Sequence, residues 1–203
     1  MPGEPQITQF ALVRHAETVW NREKRIQGQQ DSTLTSRGRQ QAEEWGQALR
    51  RYQLDYLVSS DLGRATATAE MINRTLALPR AVDPRLREQD WGNWSGLKLK
   101  DLNIADFTAQ ESQGWNFRPE GGESRMEVLE RSHQALVAVA RRWTGARVLV
   151  VTHGGVIRCL LYRLCQRKFL PGEPRLIKSY RLHWLSCDGS HLRIQRLNEQ
   201  LEV

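Results

Sequence analysis

Two histidines that each follow a short apolar run are the first candidates for chemistry. Arg14 and His15 directly follow residues 10–13, and His153 follows residues 148–151 in the same way. A neutral imidazole, whose ordinary pKa is near ~6.5, can attack phosphorus and carry a phosphoryl group covalently. An adjacent arginine suits the phosphoryl oxygens because its planar guanidinium pairs with them bidentately. Alone, an Arg–His pair also occurs for structural reasons, so phosphoryl transfer at His15 is a hypothesis at this point.

The elements that must position these residues alternate between strand and helix. Apolar runs predict strands at 10–13, 56–58 and 148–151, and helices follow them through 35–49, 61–72, 124–143 and 157–164. Two further strands, 181–185 and 192–197, are joined by an Asp-Gly turn signal. This order predicts one α/β domain over 1–203. We expect a three-layer, doubly wound, mainly parallel sheet with helices on both faces.

Three polar segments end predicted strands. Arg14-His15 follows the first strand, residues 59–64 follow the second, and His153-Gly154 follows the strand at 148–151. Open parallel sheets bind ligands at the carboxyl ends of their strands, so we expect the three segments to converge at one edge. Residues 80–123 are rich in Trp, Gly, Asp and Asn and predict an inserted cap over that edge.

Five segments together resemble a known family. They are LVRHAETVWN around His15, LTSRGRQQA at 34–42, SSDLGRATATAE at 59–70, LREQDWGNWSG at 86–96 and VVTHGGVIR at 150–158. Their types and order are similar to the histidine phosphatase superfamily, also called the phosphoglycerate mutase-like family. The resemblance covers most of the chain and implies catalysis through a phosphohistidine.

The resemblance also implies residue roles. His15 matches the nucleophile, while Arg14, Arg64 and His153 match the residues that cradle the phosphoryl group with it. Glu88 matches the general acid, with Glu17, Asp61 and Asp90 as alternative carboxylates. Four positions match substrate contacts: Asn21, Gln27, Gly28 and Gly154. A rival interpretation of Asn21 is a cap on a turn, and Glu17 is expected to order its loop.

The segment after Glu88 distinguishes branches of the family. Glu88, Asp90, Gly92, Trp94 and Gly96 form a Glu-x-Asp-x-Gly-x-Trp-x-Gly pattern, which looks like the phosphatase branch that includes alpha-ribazole phosphatase. Cofactor-dependent mutases carry Arg-His-Tyr-Gly after this glutamate. We therefore predict a phosphomonoester hydrolase of the histidine acid phosphatase type, acting on small phosphorylated metabolites. The alternatives are a 2,3-bisphosphoglycerate-dependent phosphoglycerate mutase and a catalytically weak phospho-ligand-binding or scaffold protein.

The composition of the chain limits the kinds of partner that we expect it to bind. The 203 residues carry a net charge of +7 without a long basic block, which favours a small anionic substrate over nucleic acid. No His/Asp/Glu cluster has metal-ligand spacing, and the family needs no metal, so we expect neither metal nor cofactor. Three cysteines, no apolar run near the ~20 residues of a membrane span and no visible signal peptide predict a cytoplasmic protein. The sequence leaves monomer and homodimer open.

Overall fold

A six-stranded sheet runs through the centre of the computed structural model, which describes residues 6–202. The strands are β1 (Thr8–Arg14), β2 (Tyr56–Ser59), β3 (Arg80–Val82), β4 (Arg147–Thr152), β5 (Leu182–Cys187) and β6 (Leu192–Glu199). Their spatial order is β3-β2-β4-β1-β5-β6. The first four are parallel to one another. β5 is antiparallel to both of its neighbours, β1 and β6. The predicted mainly parallel α/β sheet is confirmed.

Helices cover both faces of this sheet. They are α1 (Val19–Arg22), α2 (Ser36–Leu49), α3 (Gly63–Leu76), α4 (Ile104–Glu111), α5 (Arg125–Arg142) and α6 (Gly154–Leu164). Side chains alternate along β1, so that Phe10 and Leu12 pack in the core with α5 and α6. Ala11 and Val13 pack in a second core with α2 and α3. Because successive strand side chains point to opposite faces, the two cores make the predicted three layers.

Side-chain caps start the helices at two predicted positions. Thr35 Oγ1 accepts from the Gly38 N–H at 2.9 Å, and Ser124 forms a capping box with Glu127. The expectation that Asp61 opens the next helix is wrong. The carboxylate of Asp31 accepts from the Gly63 N–H at 2.6 Å and from the Arg64 N–H at 3.2 Å. Asp61 is instead held by an ion pair with Arg87.

The predicted cap needs one correction. Residues 80–82 are β3 and pair with β2 in the sheet, so the cap begins at residue 83. The cap contains a short 3-10 turn at Leu99–Asp101 and α4. Trp91, Trp94, Phe107 and Phe117 pack together, with ring centres 5.4 to 6.3 Å apart. These tryptophans therefore hold the cap together internally.

A second irregular segment, 166–181, connects α6 to β5. It packs against the cap, because the Trp115 ring nitrogen donates to the Arg167 carbonyl at 2.7 Å and Trp115 stacks edge-on against Phe169. No helix within residues 6–202 has the length and apolarity needed to cross a membrane. Residues 1–5, on which part of the signal-peptide expectation rests, and residue 203 lie outside the described residues.

Candidate active site

The register of the parallel strands brings the two histidines together. Arg14 at the end of β1 pairs with Thr152 at the end of β4, so that His15 and His153 are the next residue of each strand. The N–H of His15 donates to the Thr152 carbonyl at 2.9 Å. Both imidazoles are almost completely buried, with ring centres 5.3 Å apart. The sequence predicted that these two strand ends converge, and the structure confirms it.

His15 is oriented for attack through one ring nitrogen. Its Nδ1 lies 2.8 Å from the Ala16 carbonyl oxygen, which can only accept, so Nδ1 carries the proton and Nε2 keeps the lone pair. Burial, and then the charges of Arg14 and Arg64, lower the pKa of His15 well below its ordinary value. The imidazole is therefore neutral at physiological pH. A neutral imidazole whose Nε2 keeps its lone pair is the reactive form of a histidine nucleophile.

Arg64 lies beside this lone pair and is held by the chain. Its Nε donates to His15 Nε2 at 3.3 Å, and its Nη1 donates to the Gln30 carbonyl at 2.7 Å and to Asp31 Oδ1 at 2.9 Å. Its Nη2 donates to the Gly28 carbonyl at 2.7 Å. With five N–H donors on a guanidinium, one on Nη2 remains for a phosphoryl oxygen. The structure thus makes Arg64 a rigid neighbour of His15.

Arg14 and His153 each keep a buried donor that the chain does not use. Neither Arg14 Nε nor His153 Nδ1 has a partner within residues 6–202. Ser60 Oγ accepts from the Leu62 N–H at 3.2 Å and lies 2.9 Å from His153 Nε2. Ser60 is fully buried and its hydroxyl has no other acceptor within residues 6–202, so we assign its proton to the bond with Nε2, which leaves Nδ1 protonated. Buried donors almost always have partners. Two such donors beside His15 are suited to the oxygens of a bound phosphoryl group.

Glu88 lies in the same pocket, held at the first turn of α6. Its Oε2 accepts from the Gly155 N–H at 3.1 Å, and its Oε1 accepts from the Gln89 N–H at 2.9 Å. A Cβ at position 155 would lie 2.1 Å from Glu88 Oε1, whereas one at position 154 would come no closer than 3.6 Å to Arg14. The close backbone approach at this turn is therefore made by Gly155, towards the Glu88 carboxylate. The substrate contact expected at Gly154 stays a prediction. Glu88 lines the same pocket as His15.

The remaining predicted residues divide into two groups. Gln27, Gly28 and Asn21 line the pocket with His15, and Gly154 lines its neighbouring lobe beside Arg14. Asn21 also has the structural role considered as its rival, because its side chain accepts from the Thr18 N–H in a capping box. Among the alternative carboxylates, Glu17 accepts from Thr35 Oγ1 at 2.8 Å and orders its loop as expected. Glu88 is the one that lines the pocket.

Sequence reasoning missed residues that act through others. Asp31 positions Arg64, and Ser60 orients His153. Arg131 holds the segment before the acid, because it donates to the Arg85, Arg87 and Glu88 carbonyls at 2.7, 2.7 and 3.0 Å. It also pairs with the Glu123 carboxylate. Arg131 on α5 and Glu123 before that helix were both visible in the sequence, but the carbonyl groups that Arg131 holds lie more than forty residues away in the chain.

Two regions line the pocket, and we name them by their residues. The floor consists of Arg14, His15 and Arg64, which line the pocket, together with His153, whose fully buried ring lies beside that of His15 and does not line the pocket. The outer wall consists of six side chains from the cap, α5, α6 and segment 166–181: Trp91, Phe107, Arg125, Arg158, Phe169 and Arg175. The cap residues 97–123, read as mixed in charge, contribute Glu111 as their one charged lining residue. The wall's cations therefore come from elsewhere in the chain.

A neutral histidine, two arginines and a carboxyl group surround one pocket of an α/β fold, an arrangement suited to phosphoryl transfer. No group of three or more metal-binding side chains within residues 6–202 is arranged to hold a metal ion. The sequence model of the histidine phosphatase superfamily, branch 1, matches residues 10–200. The chain therefore belongs to the histidine phosphatase superfamily.

Individual relatives carry two kinds of name. A probable phosphoglycerate mutase GpmB from Salmonella choleraesuis is 40% identical over 164 residues, which are 76% of this chain and 74% of the relative. The structure of Bacillus stearothermophilus YhfR matches with a TM-score of 0.83 at 31% identity, over 95% of this chain and 98% of that one. A mycobacterial glucosyl-3-phosphoglycerate phosphatase, solved with VO3, matches with a TM-score of 0.81 at 32% identity, over 95% and 99%.

Proposed function

We propose that this protein hydrolyses phosphate monoesters of small metabolites through a phosphohistidine intermediate. One observation carries the proposal: His15 is buried and neutral, its Nδ1 is tied to the Ala16 carbonyl, and its Nε2 faces a pocket that contains Glu88. The pocket has a volume of about 440 Å³, which is within the usual range for small-molecule sites. The pattern after Glu88, and the phosphatase named among the similar structures, support hydrolysis.

The proposed reaction has two steps. His15 Nε2 attacks phosphorus, the bond from phosphorus to the ester oxygen breaks, and Glu88 gives its proton to the departing alcohol. Water then attacks the phosphorus of the phosphohistidine, and Glu88 takes a proton from that water. The bond from phosphorus to His15 Nε2 breaks, which returns the lone pair to Nε2 and releases inorganic phosphate. Arg14, Arg64 and His153 donate to the phosphoryl oxygens in both steps. Preorganised donors contribute most at the atoms where charge develops in the transition state.

In this proposal, the reaction needs neither a metal ion nor a cofactor, because guanidinium groups supply the positive charge. The partner is a small phosphorylated substrate, and the setting is the cytoplasm. Phosphate release from a panel of esters in the presence of EDTA tests the proposal. We expect release from several esters, with inhibition by vanadate, an analogue of pentacoordinate phosphorus. Loss of all activity on adding EDTA would overturn metal independence, and insensitivity to vanadate would count against this pocket.

The second candidate is a phosphoglycerate mutase that depends on 2,3-bisphosphoglycerate. The observation that favours it is the 40% identity to relatives named probable phosphoglycerate mutase GpmB. A mutase must keep water from the phosphohistidine, whereas a hydrolase must admit it. Incubation with 3-phosphoglycerate, with and without 2,3-bisphosphoglycerate, separates the two. Formation of 2-phosphoglycerate with little free phosphate would replace the hydrolase by the mutase, and silence on every ester would favour a binding protein.

A further inference from the structure

Tyr180, two residues before β5, has a backbone conformation that a tyrosine rarely adopts. Its φ is 56°, which lies in the left-handed region, where a side chain with a Cβ is strained and a large side chain is uncommon. Such conformations persist when the surrounding structure enforces them, and they are concentrated at functional sites. A turn held in this conformation is therefore expected to place its side chain for a purpose.

Residues on β6 and α2 hold this turn in place. The side-chain amide of Asn198, on β6, accepts from the Lys178 N–H at 2.7 Å and donates to the Leu176 carbonyl at 2.9 Å. The Tyr180 ring packs against Trp45 of α2, with the ring centres 6.3 Å apart. Contacts with two other elements thus offset the cost of the left-handed conformation, and they fix the direction of the Tyr180 side chain.

The ring of Tyr180 lies against the guanidinium of Arg14, one of the floor residues. The guanidinium carbon of Arg14 is 5.6 Å from the ring centre, a distance at which a cation is attracted to the face of an aromatic ring. A Cβ on Gly154 would lie 3.6 Å from both Cδ and Nε of Arg14, so the start of α6 runs along the same side chain. Arg14 is therefore next to an aromatic ring and a backbone segment.

Polar contacts do not hold Arg14 in the way that they hold Arg64. Arg14 Nε is buried without a hydrogen-bond partner, and no carboxylate within residues 6–202 forms an ion pair with Arg14. Arg64, by contrast, donates to two carbonyl groups, to a carboxylate and to His15. The direction of the Arg14 side chain therefore depends on its packing against Tyr180 and the start of α6.

We propose that Tyr180 is a positioning residue for Arg14: its ring, held by the strained turn, keeps the guanidinium directed at the phosphoryl group on the floor. An aromatic face attracts a cation without occupying its N–H groups, whereas a carboxylate would bind them. The donors of Arg14 thus remain free for the phosphoryl oxygens. The inference deepens the proposed function and rests on it, and Tyr180 itself takes no part in bond breaking.

Replacing the ring tests this role. We expect Tyr180→Leu to lower kcat/KM for phosphate release by about 5- to 30-fold, and by a similar factor for p-nitrophenyl phosphate and an alkyl phosphate. The factor is shared because Arg14 contacts the phosphoryl group, which both esters contain. The inhibition constant of vanadate should rise by a similar factor. Tyr180→Phe should retain most of the wild-type kcat/KM, because the ring and not the hydroxyl group attracts the cation.

Tyr52→Leu is the matched control. Tyr52 is a half-buried tyrosine that packs on the same core as Tyr180, and the guanidinium carbon of Arg51 lies 5.1 Å from its ring centre. It lines neither the pocket nor the adjoining lobe. This variant measures the cost of losing a ring from that core without a change at Arg14. If Tyr180→Leu does not fold, Tyr180→Asn replaces it, since asparagine tolerates the left-handed conformation.

A double-mutant cycle assigns the effect to Arg14. In an Arg14→Gln background, Tyr180→Leu should lower kcat/KM for p-nitrophenyl phosphate by less than about 2-fold, because the group that the ring positions is gone.

The outcomes separate the two proposals. An undiminished loss in the Arg14→Gln background, or an equal loss in Tyr52→Leu or Tyr180→Phe, would overturn the positioning role and leave the hydrolase intact. Wild-type kcat/KM in Tyr180→Leu would do the same. If the wild-type enzyme released phosphate from neither ester, the proposed function would fail, and the role of Tyr180 with it.

Discussion

The floor and the outer wall of this pocket use the same residue type in opposite ways. On the floor, Arg64 commits its donors to Gly28, Gln30, Asp31 and His15. On the wall, Arg158 makes one hydrogen bond to its own helix. The floor still keeps donors for a ligand, because one Nη2 hydrogen of Arg64 is unused and Arg14 Nε has no partner within residues 6–202. The difference is that the chain fixes the floor arginine Arg64 at four donors and the wall arginine Arg158 at one. In our proposal the floor carries out the chemistry and the wall surrounds the rest of the substrate.

The two regions also differ in how the backbone supports them. His15 and His153 directly follow β1 and β4, which are adjacent and parallel. The hydrogen bonds between these strands fix the register and therefore the relative position of the two histidines. The wall is assembled from the cap, the ends of two helices and the irregular segment 166–181. Hydrogen-bonded strands hold side chains more rigidly than loops do. We therefore expect floor substitutions to affect kcat on every substrate, and wall substitutions to affect KM on some.

The largest effect should come from removing the nucleophile. We expect His15→Ala to lower kcat by about 10⁴-fold or more, because the other histidine of the floor, His153, bonds to Ser60 through its Nε2 and is not free to attack. Phosphate release measures the loss, and acid quenching with a ³²P-labelled ester measures the disappearance of the phosphohistidine. His191→Ala, on the exposed turn between β5 and β6, is the control. Turnover near the wild-type rate in His15→Ala would remove the floor from the chemistry.

The next largest effect should come from changing Glu88, the proposed proton donor. We expect Glu88→Gln to slow hydrolysis of alkyl phosphates by about 10²- to 10³-fold and that of p-nitrophenyl phosphate much less, because a good leaving group needs little protonation. Plotting log kcat against the pKa of the leaving alcohol for both enzymes tests this. Parallel lines would show that Glu88 binds substrate without acting as the acid.

A pair of glycines tests whether the position of Glu88 matters as well as its charge. Gly155→Ala places a Cβ 2.1 Å from Glu88 Oε1, so the carboxyl group must move. We expect about a 10- to 100-fold loss of kcat, again largest for alkyl phosphates. Gly154→Ala, whose Cβ would meet nothing closer than 3.6 Å, should cost a few-fold at most. Equal losses in the two variants would contradict a positional role for Gly155.

The smallest expected effect is a shift in pH dependence. Burial and two neighbouring arginines lower the pKa of His15, and only the neutral form has a lone pair for attack. Because the lowered pKa keeps His15 neutral in mildly acidic solution, kcat/KM for p-nitrophenyl phosphate should fall on acidification only well below pH ~6.5. The pH profile of kcat/KM is measured and corrected for the ionisation of the ester. An acid limb centred at or above pH ~6.5 would show that the floor does not lower the pKa of His15.

The sequence predicted the floor better than the surrounding architecture. Arg14 and His153 are found where the strand ends placed them, and Thr35 and Ser124 cap the predicted helices. Such features depend on neighbours within a few residues, so local patterns reveal them. The start of α3 was mispredicted because its capping carboxylate belongs to Asp31, which is more than thirty positions from the helix it caps.

The sequence by itself predicted five of the six strands, the four longest helices, the residue types at the strand ends and hence the family; it missed β3, which lies within the predicted cap. Tertiary structure alone decided that Gly155 admits Glu88, that Ser60 orients His153 and that Arg125 is enclosed by Phe117 and Phe169. The physical reason is the range of the interactions. Strand and helix signals repeat over two to four residues, whereas burial and charge pairing depend on which distant segments the packed sheet brings into contact.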